Sequence, residues 1–180
     1  MERIVVEDTN IFFDLLELGV LAEIFALPCA VFTTDFVIQE LEEPRQRAEV
    51  LSFKNTGKLN VASLTSEEIA AIFDISQETD FKVSITDCSV LFFAKKYGCT
   101  LLTGDKRLRS KAQEEKLEVH GVLFVFDELV KHGIIPAFHA AELLKQLHQM
   151  SQRYLPKSEI EDRIHKWENP VSTDDGMEES

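Results

Sequence analysis

Apolar and polar positions alternate between two periods along this chain. Residues 3–7 (RIVVE) form a short β-favouring run, and from Ile11 the apolar positions Phe12, Leu15, Leu16 and Leu18 recur at helical spacing as far as Gly19, a C-terminal stop. LAEIFAL resumes a short helix that Pro28 breaks. CAVFT is a second β-favouring run, and DFVIQELEEPRQRAEVLSF returns to helical spacing with an interruption at Pro44. KLNVASL predicts a third strand. SEEIAAIFDISQ predicts an amphipathic helix opened by a Thr65/Glu68 capping box, and SITDCSVLFFAKKYG a more buried helix. CTLLT is the next β run, DKRLRSKAQEEKLE a charged helix, and GVLFVFDELVKHG a final short strand running into a helix. Two more helices are predicted after Pro136, in AFHAAELLKQLHQMSQRYL and SEIEDRIHKW.

Strands alternating with helices require crossover connections and therefore parallel pairing. The expected fold is a three-layer α/β/α sandwich with a mainly parallel, Rossmann-like central sheet. Residues 1–135 are expected to form this domain, 136–168 a helical extension packed on it, and 169–180 an acidic, disordered tail. No solenoid repeat or long internal linker interrupts the chain.

Composition changes the picture in three places. At 180 residues and 44% hydrophobic the chain is large enough to bury its own core. It carries charge near its start and no apolar run of the roughly 18 residues a membrane span needs, so a cytoplasmic location without membrane insertion is expected. Cys29, Cys88 and Cys99 form no CxxC pair and suit reduced core thiols.

The net charge of −13 argues at first against a nucleic-acid partner. The acidity is local, however. Residues 1–43 hold one base against ten acids, residues 168–180 five acids and no base, and residues 44–167 eighteen bases against seventeen acids. The middle of the chain is nearly neutral.

Ligands of open parallel sheets bind outside the carboxyl ends of the strands. Asp8 follows the first β run at once, and Asp105 follows CTLLT by two residues; each leads into a helix. Glu40 lies on the helix after the second strand and Asp87 near the start of the buried helix, and either can reach the same edge. Gathered carboxylates repel unless a hard cation neutralises them, and oxygen ligands suit Mg²⁺ and Mn²⁺. Each acid also has an ordinary role open to it: an N-cap for Asp8 or Asp105, a Ser84/Asp87 capping box, a solvated helix face for Glu40.

The ordered set VVEDTN, ELEE, SITDCSVLFFAKKYG and LLTGDKRLR resembles the PIN-domain nuclease family in its bacterial toxin-like, VapC-like branch, over roughly residues 3–133. The resemblance implies that Asp8, Glu40, Asp87 and Asp105 are the metal-holding and catalytic quartet, with Asn10 and Thr103 as supporting polar neighbours. It further implies a metal-dependent endoribonuclease holding one or two Mg²⁺ or Mn²⁺ ions, a homodimer, and a small antitoxin protein if the chain is the toxin of a toxin–antitoxin pair. The chain departs from the simplest toxin in its helices after Pro136 and in its acidity.

Two metals about 3.5–4 Å apart can activate water, neutralise phosphoryl charge and stabilise the leaving alkoxide, so no His or Ser nucleophile is needed. The histidines at 120, 132, 139, 148 and 165 form no zinc spacing and are read as structural or surface residues. Lys106, Arg107, Arg109 and Lys111 follow Asp105 and are candidates to grip an RNA backbone; the competing reading pairs Lys111 with Glu114 and Glu115 on a solvated face. Two other functions stay open: a non-catalytic binding module of the same fold, and a receiver-like Mg²⁺-binding phosphoacceptor.

Overall fold

The computed structural model describes residues 2–6, 9–78, 84–150 and 155–169. Five parallel strands form one sheet in the order β3-β2-β1-β4-β5: β1 Glu2–Val6, β2 Cys29–Thr34, β3 Leu59–Ala62, β4 Thr100–Leu102 and β5 Val119–His120. Val5 pairs with Phe32 and with Leu101, so β1 lies between β2 and β4. Val5, Val6, Val31, Leu101 and Leu102 are all but inaccessible to solvent, as expected of a parallel sheet covered on both faces.

Right-handed crossovers turn the sequence order into two helical layers. On one side α1 (Thr9–Glu17) packs against α2 (Leu21–Ile24) and α4 (Pro44–Asn55), and α2 meets α8 (Val122–Lys131). On the other, α6 (Ile85–Tyr97) lies over β1, β2 and β4, between α5 (Ser66–Glu78) and α7 (Lys106–Glu114). The short α3 (Asp35–Gln39) follows β2 without a break and touches α6. α6 is buried nearly all round, with Cys88, Ser89, Val90, Leu91, Phe93 and Ala94 inside. Gly98 ends it at φ 63°, a left-handed conformation that costs glycine nothing. The Thr65/Glu68 capping box forms as the sequence indicates.

One expected strand is absent. VLFVF is the first half of α8, and β5 sits earlier, at Val119–His120. The residues of VLFVF favour strands by type, but burial of Val122, Leu123, Val125, Phe126 and Leu129 follows helical spacing, and that periodicity decides the outcome. The preceding charged helix correspondingly stops at Glu114, and Lys116 takes a turn at φ 60° before β5.

The chain divides into two compact units, residues 1–134 and 135–180. In the second, α9 (Ala137–Met150) packs against α10 (Lys157–Glu168), with a Lys145–Glu168 ion pair between them. The acidic tail expected over 169–180 lies, apart from Asn169, outside the described residues.

Candidate active site

The strand order fixes where a ligand site belongs. From β1 the chain moves outward through β2 to β3, then crosses back to β4 and β5, so the direction of winding reverses between β1 and β4. The crevice at the carboxyl ends of those two strands is the topological switch point of the sheet. Asp8 stands two positions after β1 in sequence but lies outside the described residues. Asp105 stands three positions after β4.

Threonines hold this edge. Thr103, fully buried, accepts the Asp105 N–H on its hydroxyl at 3.0 Å. Thr33, also fully buried, donates its hydroxyl to the carbonyl of Val6 at 2.9 Å, tying β2 to the last residue of β1. Thr34 and Ser89 meet hydroxyl to hydroxyl at 3.0 Å, and Ser89 donates to the Thr86 carbonyl at 2.7 Å. Because the Thr34–Ser89 contact joins residues 55 positions apart, it fixes the first turn of α6, where Asp87 lies, to the carboxyl end of β2. Buried hydroxyl pairs of this kind hold geometry because any slip leaves an unpaired polar group.

Each described acid of the quartet has a definite setting. Asp105 caps α7: its Oδ1 accepts from the Arg107 and Leu108 amides at 2.7 and 2.8 Å. Asp87 completes a capping box, its Oδ2 accepting the Ser84 N–H at 2.7 Å while the Ser84 hydroxyl accepts the Asp87 N–H at 3.0 Å. The ordinary roles of both acids are thus realised, yet each occupies one oxygen, leaving Asp105 Oδ2 and Asp87 Oδ1 available. Glu40 is exposed at the C-terminal end of α3. None of the three pairs with a base among the described residues. Asn10 is half-buried in the first turn of α1, and both it and Thr103 engage in further bonding. No three His, Cys, Asp or Glu side chains among the described residues form a ready metal cage.

The basic run after Asp105 separates into two pairs. Arg109 directs its guanidinium to the carbonyls of Val119 and Thr103, at 3.2 and 3.1 Å, and so clamps the ends of β4 and β5; a Cβ at Gly121 would stand 3.3 Å from it. Lys111 faces Glu114 and Glu115 at 3.5 and 4.0 Å. Lys106 and Arg107 are exposed at the start of α7.

Asp35 was not singled out in the sequence. It follows β2 directly, with no intervening residue, and its Oδ1 is buried with no hydrogen-bond partner. The signal that found Asp8 and Asp105, an acid directly after a β run, applies to it equally; the helical pattern of DFVIQELEE drew attention to Glu40 instead.

A doubly wound parallel sheet with carboxylates after the strands at its switch point defines the class of Rossmann-like α/β proteins whose chemistry sits at the strand ends. The chain belongs to the PIN-domain family: the family model described as PIN domain matches residues 4–169. No curated protein matches it in sequence. Among solved structures it is similar to a PilT N-terminus domain protein from Sulfolobus solfataricus P2, at 9% identity and TM-score 0.46 over 73% of this chain and 96% of that one. It is also similar to chains of VapBC2 from Rickettsia felis bound to a promoter DNA fragment (12%, 0.43, 66% and 98%) and of FitAcB from Neisseria gonorrhoeae (15%, 0.42, 67% and 98%). No helix among the described residues is long and apolar enough to cross a membrane.

Proposed function

We propose that this PIN-domain protein is a metal-dependent endoribonuclease whose centre is held by Asp8, Glu40, Asp87 and Asp105. The observation that carries the proposal is the state of the described acids. Asp87 and Asp105 are oriented by backbone bonds on one oxygen and unengaged on the other, without a basic counter-ion. Such a donor set is hard, anionic and oxygen-only, which fits Mg²⁺ or Mn²⁺ and does not fit zinc. When bound, one or two such ions would supply an activated water and neutralise the phosphoryl oxygens.

The residues of the chain contribute orientation. The capping bonds fix the carboxylate planes of Asp87 and Asp105, as outer hydrogen bonds commonly fix metal ligands. Thr103, by accepting the Asp105 amide, sets where that carboxylate leaves the sheet. Lys106 and Arg107, at the start of α7 beside Asp105, are placed to meet a phosphate flanking the cut, and the exposed amino end of the helix favours the same anion. Arg109 acts here by clamping β4 to β5 rather than by gripping RNA.

A toxin role with a small antitoxin partner, and a homodimeric assembly, belong to the same proposal; the resemblance of VVEDTN, ELEE, SITDCSVLFFAKKYG and LLTGDKRLR to the toxin-like branch of the family is the reason to include them. The receiver-like alternative loses ground, since Gly121 rather than a lysine follows β5. The test is cleavage of labelled single-stranded and structured RNA by the wild type and by Asp8→Asn, with Mn²⁺ or Mg²⁺ and then with EDTA. Cutting that needs metal and is lost in the variant is the expected result. Well-folded protein that cuts no RNA under any of these conditions would favour a non-catalytic binding module.

A further inference from the structure

On the α6 face of the sheet, three aromatic side chains run ring to ring: Phe32 to Phe93 with centroids 5.4 Å apart, and Phe93 to Tyr97 with centroids 4.6 Å apart. Between these rings and β3 lies a cleft of about 470 Å³, whose walls also include Arg3, Asn60 and Ser63. We infer that this cleft binds one nucleotide unit, its base against the Tyr97 ring and its phosphate on Arg3. The inference rests on the nuclease reading above and deepens it, by giving the RNA a hold apart from the carboxylates.

The register of the sheet puts the walls on one face. Arg3 pairs with Ala30, Phe32 with Asn60 and Thr34 with Ala62, and alternate residues of a strand share a face. Phe32 and Thr34 meet α6 through Phe93 and Ser89, so Asn60 and Ala62 face the same way. The cleft therefore runs from Arg3, near the start of β1, to Ser63, just past the carboxyl end of β3. That is the edge of the sheet on which Asp105 follows β4.

The wall groups each keep a capacity that the fold does not use. Arg3 is the one base among residues 1–43, against ten acids, yet it forms no ion pair among the described residues. Its exposed guanidinium donates from Nη1 to the Tyr97 carbonyl at 3.2 Å, which anchors it to the residue that carries the ring. Asn60 donates from Nδ2 to the Val31 carbonyl at 3.1 Å, which fixes the amide and leaves Oδ1 to accept from a ligand. Tyr97 is 41% exposed although Phe93 beside it is buried, so a flat apolar surface stands open on a rigid support. A volume of this size falls in the roughly 300–1,000 Å³ range of small-molecule sites. A fixed cation, an orienting amide and an aromatic platform together suit a nucleotide: ring on ring, phosphate on guanidinium, a base-edge N–H on the amide oxygen. An acidic peptide offers charge for Arg3 but no flat ring for Tyr97.

The experiment is binding of a short labelled oligoadenylate to the full chain, by fluorescence anisotropy in EDTA so that binding is read apart from cleavage. It compares the wild type, Tyr97→Ala, Tyr97→Phe and Arg3→Gln, with melting temperatures to confirm that each is folded. Expected is an affinity lowered ~10-fold by Tyr97→Ala, the scale of one base stacked on an aromatic side chain, and retained by Tyr97→Phe, which keeps the ring. Arg3→Gln should reduce the slope of log affinity against log salt by about 0.7, the share of one single-strand phosphate. Competition by AMP as effective as that by unlabelled oligoadenylate would assign the cleft to a free nucleotide, and competition by the oligonucleotide alone to an RNA strand. Equal affinities in the wild type and Tyr97→Ala, or displacement by oligoglutamate as readily as by oligoadenylate, would overturn the assignment. Metal-dependent cleavage alongside such a result would leave the nuclease reading standing, whereas a wild type that neither binds nor cuts RNA would overturn both.

Discussion

The carboxyl edge of the sheet and the outer helical surface treat their acids in opposite ways. On the outer surface, Glu68 pairs with Lys96 and Glu115 with Lys95, both at 2.6 Å, and Glu128 with Lys131 at 2.9 Å. The Lys96 ammonium holds the Glu68 carboxyl below its ordinary range, as Lys95 does for Glu115, while Glu68, with Tyr97 second, pulls the Lys96 ammonium up. At the edge, Asp87 and Asp105 bridge to no base among the described residues, and the bonds their carboxylates accept come from backbone amides, where these outer acids are held by lysines.

The largest effect should come from the edge itself. Asp105→Asn keeps an equally good N-cap, so urea unfolding should move little, whereas metal-dependent cleavage should fall by ~100-fold or more, at or beyond the upper end of what damage around metal ligands causes. Parallel losses of stability and activity would break the comparison by making Asp105 a cap alone. Next comes Ser89→Ala, which strands the buried Thr34 hydroxyl and should cost about 1–3 kcal/mol in urea unfolding. The double variant with Thr34→Val should recover part of that loss, and strict additivity would show that the bridge does not couple α6 to β2.

Smaller effects are expected on the outer surface. Glu68→Gln should lower the melting temperature slightly at low salt and less in concentrated salt, since Lys96 is exposed to water and Glu68 only partly covered. Glu118 is held below the ordinary carboxylate range chiefly by its bond to His120, with Thr100 adding a second. Its contribution to stability is therefore present above the ordinary carboxylate pKa and fades as the pH falls through its lowered value. Comparing melts of the wild type and Glu118→Gln from pH 6 to pH 3 should show the two curves converging toward acid. A gap that widens instead would reverse the sign of this interaction.

Much of this contrast is legible in the sequence because it is periodic. Four of five strands and the long helices follow from apolar spacing, and the capping boxes at Thr65 and Ser84 are visible as local spacing of polar residues. What the sequence could not supply are the non-local bonds. The Thr34–Ser89 bridge spans 55 positions, and neither hydroxyl is unusual in its own neighbourhood. The assignment of Arg109 to two carbonyls, rather than to RNA, likewise depends on β5 lying beside β4, which was obscured by a strand-like composition in VLFVF that folds as helix. Asp8 and Asp105 stand out by their place after strands and all four proposed acids by the resemblance, whereas Asp35 drew no attention because a helical pattern begins on the same residue.

The central place of β1 also has a temporal side. Its β2 partner begins 23 residues after β1 ends, but its other partner, β4, arrives only at Thr100, so a chain emerging from the ribosome at about 5–20 residues per second holds β1 with one flank open for several seconds. Pairing at such separation is slow to form by its nature. Asp105 comes later still, so on the nuclease reading proposed above the centre is incomplete, and the nascent chain inert toward the message from which it is being translated, until most of the first unit has been made.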